Sequence, residues 1–191
     1  MHRGEEVLLE LMEGNRRFVE GRCVPQLYSP AHLAELAVGQ TPMAAIVTCS
    51  DSRVVPEVIF DQPLGSLFVS RVPGNVASDS AKWMIDIAVG DFQVPLLIVM
   101  GHTGCLAVGQ VVNGQTGGAG GPLRLNVLSA VYRAQRLNPA DLWLQSIIEN
   151  AKQTVERLAD ESYALRSALA DGRIHAATML YDMSTGVASI I

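Results

Sequence analysis

The apolar positions near the start of the chain recur at helical spacing. Val7, Leu8, Leu11, Met12 and Phe18 predict an amphipathic helix over 4–20. Ser29-Pro30 predicts a second, short helix, with Ser29 as N-cap and Pro30 at the first helical position. The pattern then changes to short, almost wholly apolar runs at 43–48, 66–70 and 96–101, read as strands. Helical patterns around 54–60 and 78–92 separate them. Continuous apolar strands alternating with helices imply a parallel sheet covered on both faces. A further helix starts just after His102 and runs out in "NGQTGGAGGP", 113–122, which reads as a loop. Helices follow around 123–136, 140–159 and 161–171. The chain closes with two strands about the turn Asp182–Gly186, an antiparallel hairpin.

This is an α/β fold: a mostly parallel central sheet flanked by helices, with a C-terminal antiparallel hairpin. At 191 residues, with no linker or internal repeat, residues 1–191 read as a single domain. A helical arm takes up about 1–38 and the α/β core about 40–191.

Composition narrows the partners. Half the residues are hydrophobic (49%), only 17% are charged, and the net charge is −5 with no basic cluster. Nucleic acid is not expected as a partner. No apolar run is long enough for a bilayer, and the charged N-terminal helix is not a secretory signal, so no membrane is expected either. The high apolar fraction leaves room for a subunit interface. The three cysteines, Cys23, Cys49 and Cys105, do not form a disulfide framework. A cytoplasmic location is the default, and metal binding is the better expectation for the thiols there.

Chemistry concentrates in two places. In "TCSDSRVVPE", 48–57, Cys49, Asp51 and Arg53 alternate with serines just past an apolar strand. In "VMGHTGC", 99–105, His102 and Cys105 sit three apart just past another. The carboxyl ends of parallel strands border the ligand crevice of such a sheet. Two thiolates and an imidazole meeting there would suit zinc, with a fourth position open for water or substrate. Asp51 could take that fourth place, provided the extended conformation persists far enough to put it on the side of Cys49. Arg53 could instead hold the Asp51 carboxylate in a bidentate pair and keep it off the metal. Each element alone has an ordinary reading: a buried small thiol, a surface pair. Their convergence at one end of neighbouring strands favours a metal site.

"CSDSRVVPEVIF" followed by "GHTGC" resembles the β-class carbonic anhydrases. "GQTP", "GSLFVSRVPGN" and the ending "DGRIHAATMLYDMSTGVASII" extend the resemblance over most of the chain. It implies one zinc per chain on Cys49, His102 and Cys105, with the Asp51–Arg53 dyad beside it. The implied reaction is reversible hydration of carbon dioxide to bicarbonate and a proton by a zinc-bound hydroxide. Asp51 would orient that nucleophile, while Gln40 and a backbone N–H near Cys105 would steady the substrate oxygens. The resemblance also implies an apolar substrate cleft with Phe68, built at a subunit interface, hence a homodimer or homotetramer. By themselves Gln40 is a polar loop residue and Phe68 is core.

The chain departs from the family pattern at several positions. Leu106 follows Cys105 where glycine is usual, Ile87 stands where an aromatic is usual, and Pro73 stands where a small residue is usual. Ile46 replaces the tryptophan of the bicarbonate-inhibited branch, so that inhibition is not expected. Leu106 and Ile87 are thereby candidate substrate-pocket residues, although spacing alone reads Ile87 as helix core. Two other readings stand beside carbon dioxide hydration. One is a hydrolase of a related heterocumulene (COS or CS2); the other is a non-catalytic, zinc-containing bicarbonate-binding subunit.

Overall fold

The computed structural model describes residues 2–26, 28–115, 118 and 121–191. In chain order the helices are α1 (Arg3–Val19), α2 (Pro30–Val38), α3 (Pro56–Ile59), α4 (Asp79–Gly90), α5 (Leu106–Val112), α6 (Gly121–Arg136), α7 (Leu142–Glu161) and α8 (Tyr163–Ala170). The strands are β1 (Ala44–Thr48), β2 (Leu67–Arg71), β3 (Leu96–His102), β4 (His175–Tyr181) and β5 (Ala188–Ile190). They form one sheet in the order β2-β1-β3-β4-β5. The first four are mutually parallel, and β5 returns antiparallel to β4. The expected parallel sheet and closing hairpin are both present.

Both faces of the sheet are covered, which is why its central strands read as unbroken apolar runs. Ala44 and Ile46 of β1 and Ile98 and Met100 of β3 face Val7, Leu8 and Leu11 of α1, together with Ile59 and Phe60. Ala45, Val47, Leu97 and Val99 face the other way, against Ile85 of α4, Leu158 of α7 and Leu165 of α8. A third cluster lies past the carboxyl ends of the strands. There Cys49 and Cys105 pack with Val76, Val108, Val127, Val131 and Ile147.

Helix α1 is held close to the end of α3 and to the start of β3 by two contacts that leave no room for a side chain. A Cβ at Gly14 would lie 1.9 Å from the Phe60 carbonyl oxygen, and one at Gly4 would lie 2.2 Å from that of Pro95. Its N-terminus carries a capping box: His2 accepts from the Gly4 N–H at 3.1 Å, and Glu5 accepts from the His2 N–H at 3.1 Å. Buried Asn15 donates to the carbonyls of Ile59 (3.1 Å) and Gly186 (2.9 Å) and accepts from the Ala188 N–H (2.9 Å). That one side chain ties α1 to both α3 and the C-terminal hairpin. Helix α2 buries none of its residues in the chain.

Two expectations need correction. α6 begins at Gly121, inside the stretch expected to be loop, because Pro122 is suited to the first turn of a helix. Residues 116, 117, 119 and 120 of that stretch lie outside the described residues. Strand β1 stops at Thr48, so Cys49, Asp51 and Arg53 are not on an extended strand. The chain turns instead, with the Val54 N–H donating to the Asp51 carbonyl at 3.0 Å. Among the described residues, no helix is long and apolar enough to cross a membrane.

Candidate metal centre

β1 lies between β2 and β3, so the chain leaves its carboxyl end at the point where the strand order reverses. Crevices open at such points. Cys49 immediately follows β1, His102 is the last residue of β3, and Cys105 caps α5. All three are buried, and their ligand atoms lie within 4.8 Å of one another. The two sulfurs are 3.9 Å apart.

The orientation of the His102 ring is set by its neighbour. The Thr103 carbonyl can only accept, so His102 donates to it from Nδ1, at 3.0 Å. Nε2 is then the lone-pair nitrogen, and it is buried without a hydrogen-bond partner among the described residues. Thr103 is itself fixed to the hairpin: its N–H donates to Tyr181 O (2.9 Å) and its Oγ1 accepts from the Met183 N–H (3.0 Å). The hairpin thus sets the imidazole's orientation from behind.

The thiols are electrostatically unequal. The Cys49 thiol is held below its ordinary range, chiefly by its contact with the Cys105 thiol and also by the backbone N–H groups of Gly74 and Asp51. The Gly74 N–H reaches the Cys49 sulfur at 3.4 Å. Cys105 is pushed up, first by its contact with the Cys49 thiolate and then by burial. An orphaned imidazole nitrogen beside two adjacent buried thiols fits one soft-to-borderline divalent cation. With three protein donors, a fourth position remains for a non-protein ligand.

Asp51 and Arg53 meet as expected, but through a turn. Arg53 Nε donates to Asp51 Oδ1 and Nη2 to Oδ2, both at 2.9 Å, and the Arg53 N–H also reaches Oδ1 at 3.0 Å. The pair holds the Asp51 carboxyl well below the usual carboxylate range. Arg71 has no role in the sequence reading, yet it braces the same turn. Its Nε donates to Cys49 O at 3.3 Å and its Nη2 to Asp51 O. The signal was the arginine in "SRVPGN", which β-pairing sets opposite Thr48, just before Cys49.

The expected pocket residues are dispersed in the single chain. Gln40 is exposed and precedes β1, at the end of that strand opposite to Cys49. Phe68 pairs with Ala45 and packs its ring on Phe92, centroids 5.3 Å apart. Neither is brought to the cysteines. Ile87 is not helix core as its spacing suggests: the buried positions of α4 are Ala81, Ile85, Ala88 and Val89. Ile87 is half-buried, on the face where Trp83 is 72% exposed. Leu106 opens α5 with 66% of its surface exposed. Pro73 starts a 3-10 turn and lines a hollow of about 220 Å³ with Ala107, Gln110, Leu123, Arg124 and Val127.

Comparison with known proteins shows what the chain as a whole is similar to. The family model described as carbonic anhydrase matches residues 44–188. Carbonic anhydrase 2 of Mycobacterium tuberculosis (strain ATCC 25618 / H37Rv) is 37% identical over 182 residues, covering 92% of this chain and 87% of its own length. Among solved structures, a Sordaria macrospora β-carbonic anhydrase, described as tetrameric, superposes with a TM-score of 0.76 at 23% identity. That match covers 85% of this chain and 87% of the other. The β-carbonic anhydrase CafA of Aspergillus fumigatus gives 0.75 at 23% identity, covering 98% and 89%.

Proposed function

Because this chain belongs to the β-carbonic anhydrase family, we propose that Cys49, His102 and Cys105 hold one zinc ion per chain and that Asp51 and Arg53 serve the reaction beside it. The enzyme is a carbonate dehydratase: it hydrates carbon dioxide reversibly to bicarbonate and a proton. The observation that supports the ligand set is the unpartnered Nε2 of His102, buried within 4.8 Å of two thiols. When bound, zinc polarises water and brings its pKa to about 7, a general figure for carbonic anhydrases rather than one read from this chain.

The chain's own residues then divide the work. The N–H groups of Gly74 and Asp51 stabilise the Cys49 thiolate. Thr103 holds the His102 ring in the tautomer that leaves Nε2 free. Asp51, ionised by its pairing with Arg53, accepts a hydrogen bond from the attacking water and turns an oxygen lone pair toward the carbon of the substrate. Its lowered pKa suits it to accepting and orienting, not to carrying the released proton at neutral pH. The two-pronged guanidinium grip keeps the carboxylate from entering the site as a fourth ligand.

Gln40 and Phe68, distant from the cysteines within one chain, reach a substrate cleft when a second copy contributes them, so the working unit is a homodimer or a larger even assembly. Ile87 and Leu106 shape the apolar wall of that cleft. The chain acts as a single domain over 1–191. Three free cysteines suit a reducing, cytoplasmic setting.

Stopped-flow carbon dioxide hydration by zinc-replete protein, with zinc counted by elemental analysis, tests the reading. One zinc per chain and hydration well above the buffer rate are expected. Loaded protein with no hydration above buffer would overturn the reading, and sulfide release from COS or CS2 in its place would redirect it to those substrates.

A further inference from the structure

One stripe of α7 reaches the Cys105 carbonyl, the residue before His102, and Gly74, whose N–H meets the Cys49 sulfur. Trp143, Ile147 and Asn150 stand at i, i+4 and i+7, and so on one side of the helix. Trp143 Nε1 donates to the Cys105 carbonyl at 3.1 Å. Its ring lies against Gly109, where a Cβ would come within 2.8 Å of ring atoms, so only glycine admits the indole there. Ile147 packs on Gly101, the residue before His102, with its Cγ2 3.1 Å from where a Cβ would stand. Asn150, 1% exposed, donates from Nδ2 to the Gly74 carbonyl at 2.6 Å. Gly74 in turn donates its N–H to the Cys49 sulfur at 3.4 Å.

These contacts supply something the ligands lack. Cys105 caps α5 without a side-chain capping bond. Its peptide is oriented by what its carbonyl accepts, the Gly109 N–H at 2.9 Å and the Trp143 indole. Gly74 sits in the left-handed region at φ 69°, followed by Asn75 at φ 45°. That conformation is held by its surroundings and aims an N–H at Cys49. Asn150 grips the carbonyl of the same residue.

We propose that Trp143 and Asn150 are positioning residues: acting through Cys105 O and Gly74, they hold the two cysteine sulfurs at metal-binding separation and so retain the zinc. The proposal rests on the ligand set given above. Groups that hydrogen-bond the ligands from behind typically alter metal affinity by about 10–100-fold when removed.

The test compares Trp143→Phe, which keeps a ring over Gly109 but lacks the N–H, and Asn150→Leu, close in size but without the donor. Two quantities are read: the rate of zinc loss to a chelator, and the thiolate-to-cobalt charge-transfer band after cobalt(II) replacement. Each variant should lose zinc at least about tenfold faster and show a changed band. Leu158→Ala, which truncates a buried α7 side chain in the sheet core, should lower the melting temperature and leave both quantities at the parental values. Folded Trp143→Phe and Asn150→Leu with parental zinc loss and band would overturn the proposal. Should either fail to fold, Trp83→Phe leaves Trp143 as the sole tryptophan of the two in the chain. Its emission should then change on zinc removal and return on zinc addition, and constant emission overturns the proposal. Failure of the underlying reading is separate: Cys105→Ser that keeps a full zinc removes the ligand set itself.

Discussion

Arg53 grips Asp51 with two parallel bonds of 2.9 Å, and its backbone N–H adds a third at 3.0 Å to the same carboxylate. Although the Arg53 side chain is 62% exposed, the pairing is bidentate and within one turn, so little ordering is needed to form it. Under the proposed function its value lies in aiming Asp51.

Arg53→Ala should therefore lower carbon dioxide hydration by at least about tenfold while zinc content stays at one per chain. Arg53→Lys should also be impaired, since an ammonium cannot reproduce the fork. Stopped-flow rates and elemental analysis decide; full activity in the alanine variant would dismiss the clamp.

Thiol accessibility should report on the metal. Cys49 and Cys105 are buried and Cys23 is exposed, so zinc-loaded protein should react with a thiol reagent at one position per chain. Chelation under denaturing conditions should expose all three. Cys23→Ser should keep its zinc and show no accessible thiol before chelation, and a variant that loses zinc would bring Cys23 into the site.

Cys23 should itself react slowly at neutral pH despite its exposure. Local desolvation, followed by the negative charge of Asp61, pushes its thiol up. A raised pKa means less thiolate at neutral pH, so the alkylation rate should climb only above the ordinary thiol range near 8.5. Asp61→Asn removes the negative charge beside the thiol and should shift the alkylation profile to lower pH. A profile centred at or below 8.5 in the parent would contradict this.

Gly14→Ala should destabilise the protein by about 1–3 kcal/mol, the usual range for overpacking. The added Cβ meets the backbone oxygen of Phe60, which cannot swing aside as a side chain can. Urea unfolding measures this, and the carbon dioxide rate of the remaining folded fraction should be close to parental.

If Leu106 and Ile87 compensate in shaping the cleft, Leu106→Gly alone should lower hydration, and Ile87→Tyr added to it should restore the rate. A pocket methylene is worth roughly 1–3 kcal/mol of discrimination, so the effect is measurable in either direction. A sharp rise for Leu106→Gly would instead mark Leu106 as an obstruction.

The elements were legible because periodicity reports burial directly. The unbroken apolar runs of β1 and β3 follow from a sheet covered on both faces, and Ser29-Pro30 announced α2 through cap chemistry alone. The donors were legible because Cys49, His102 and Cys105 lie within three residues of strand ends, so that correct strands nearly sufficed. Ile87 was misjudged from spacing because Ile85 and Val89 occupy neighbouring positions on the same helix. A rotation of one or two residues separates core from surface there, and the pattern of a short apolar helix does not resolve it.

The linear chain by itself determined the strand-and-helix alternation, the parallel sheet, and the two clusters whose donor types suit a metal. These depend on residue type and short spacings, which the chain states outright. Only tertiary structure decided how the donors are held. The Asp51 turn braced by Arg71, the His102 tautomer set by Thr103, and the stripe of α7 behind Cys105 and Gly74 join residues 20 to 76 positions apart, apart from the adjacent Thr103. Such partners are chosen by packing and by the need of each buried polar group for a hydrogen bond, and neither is written in local sequence.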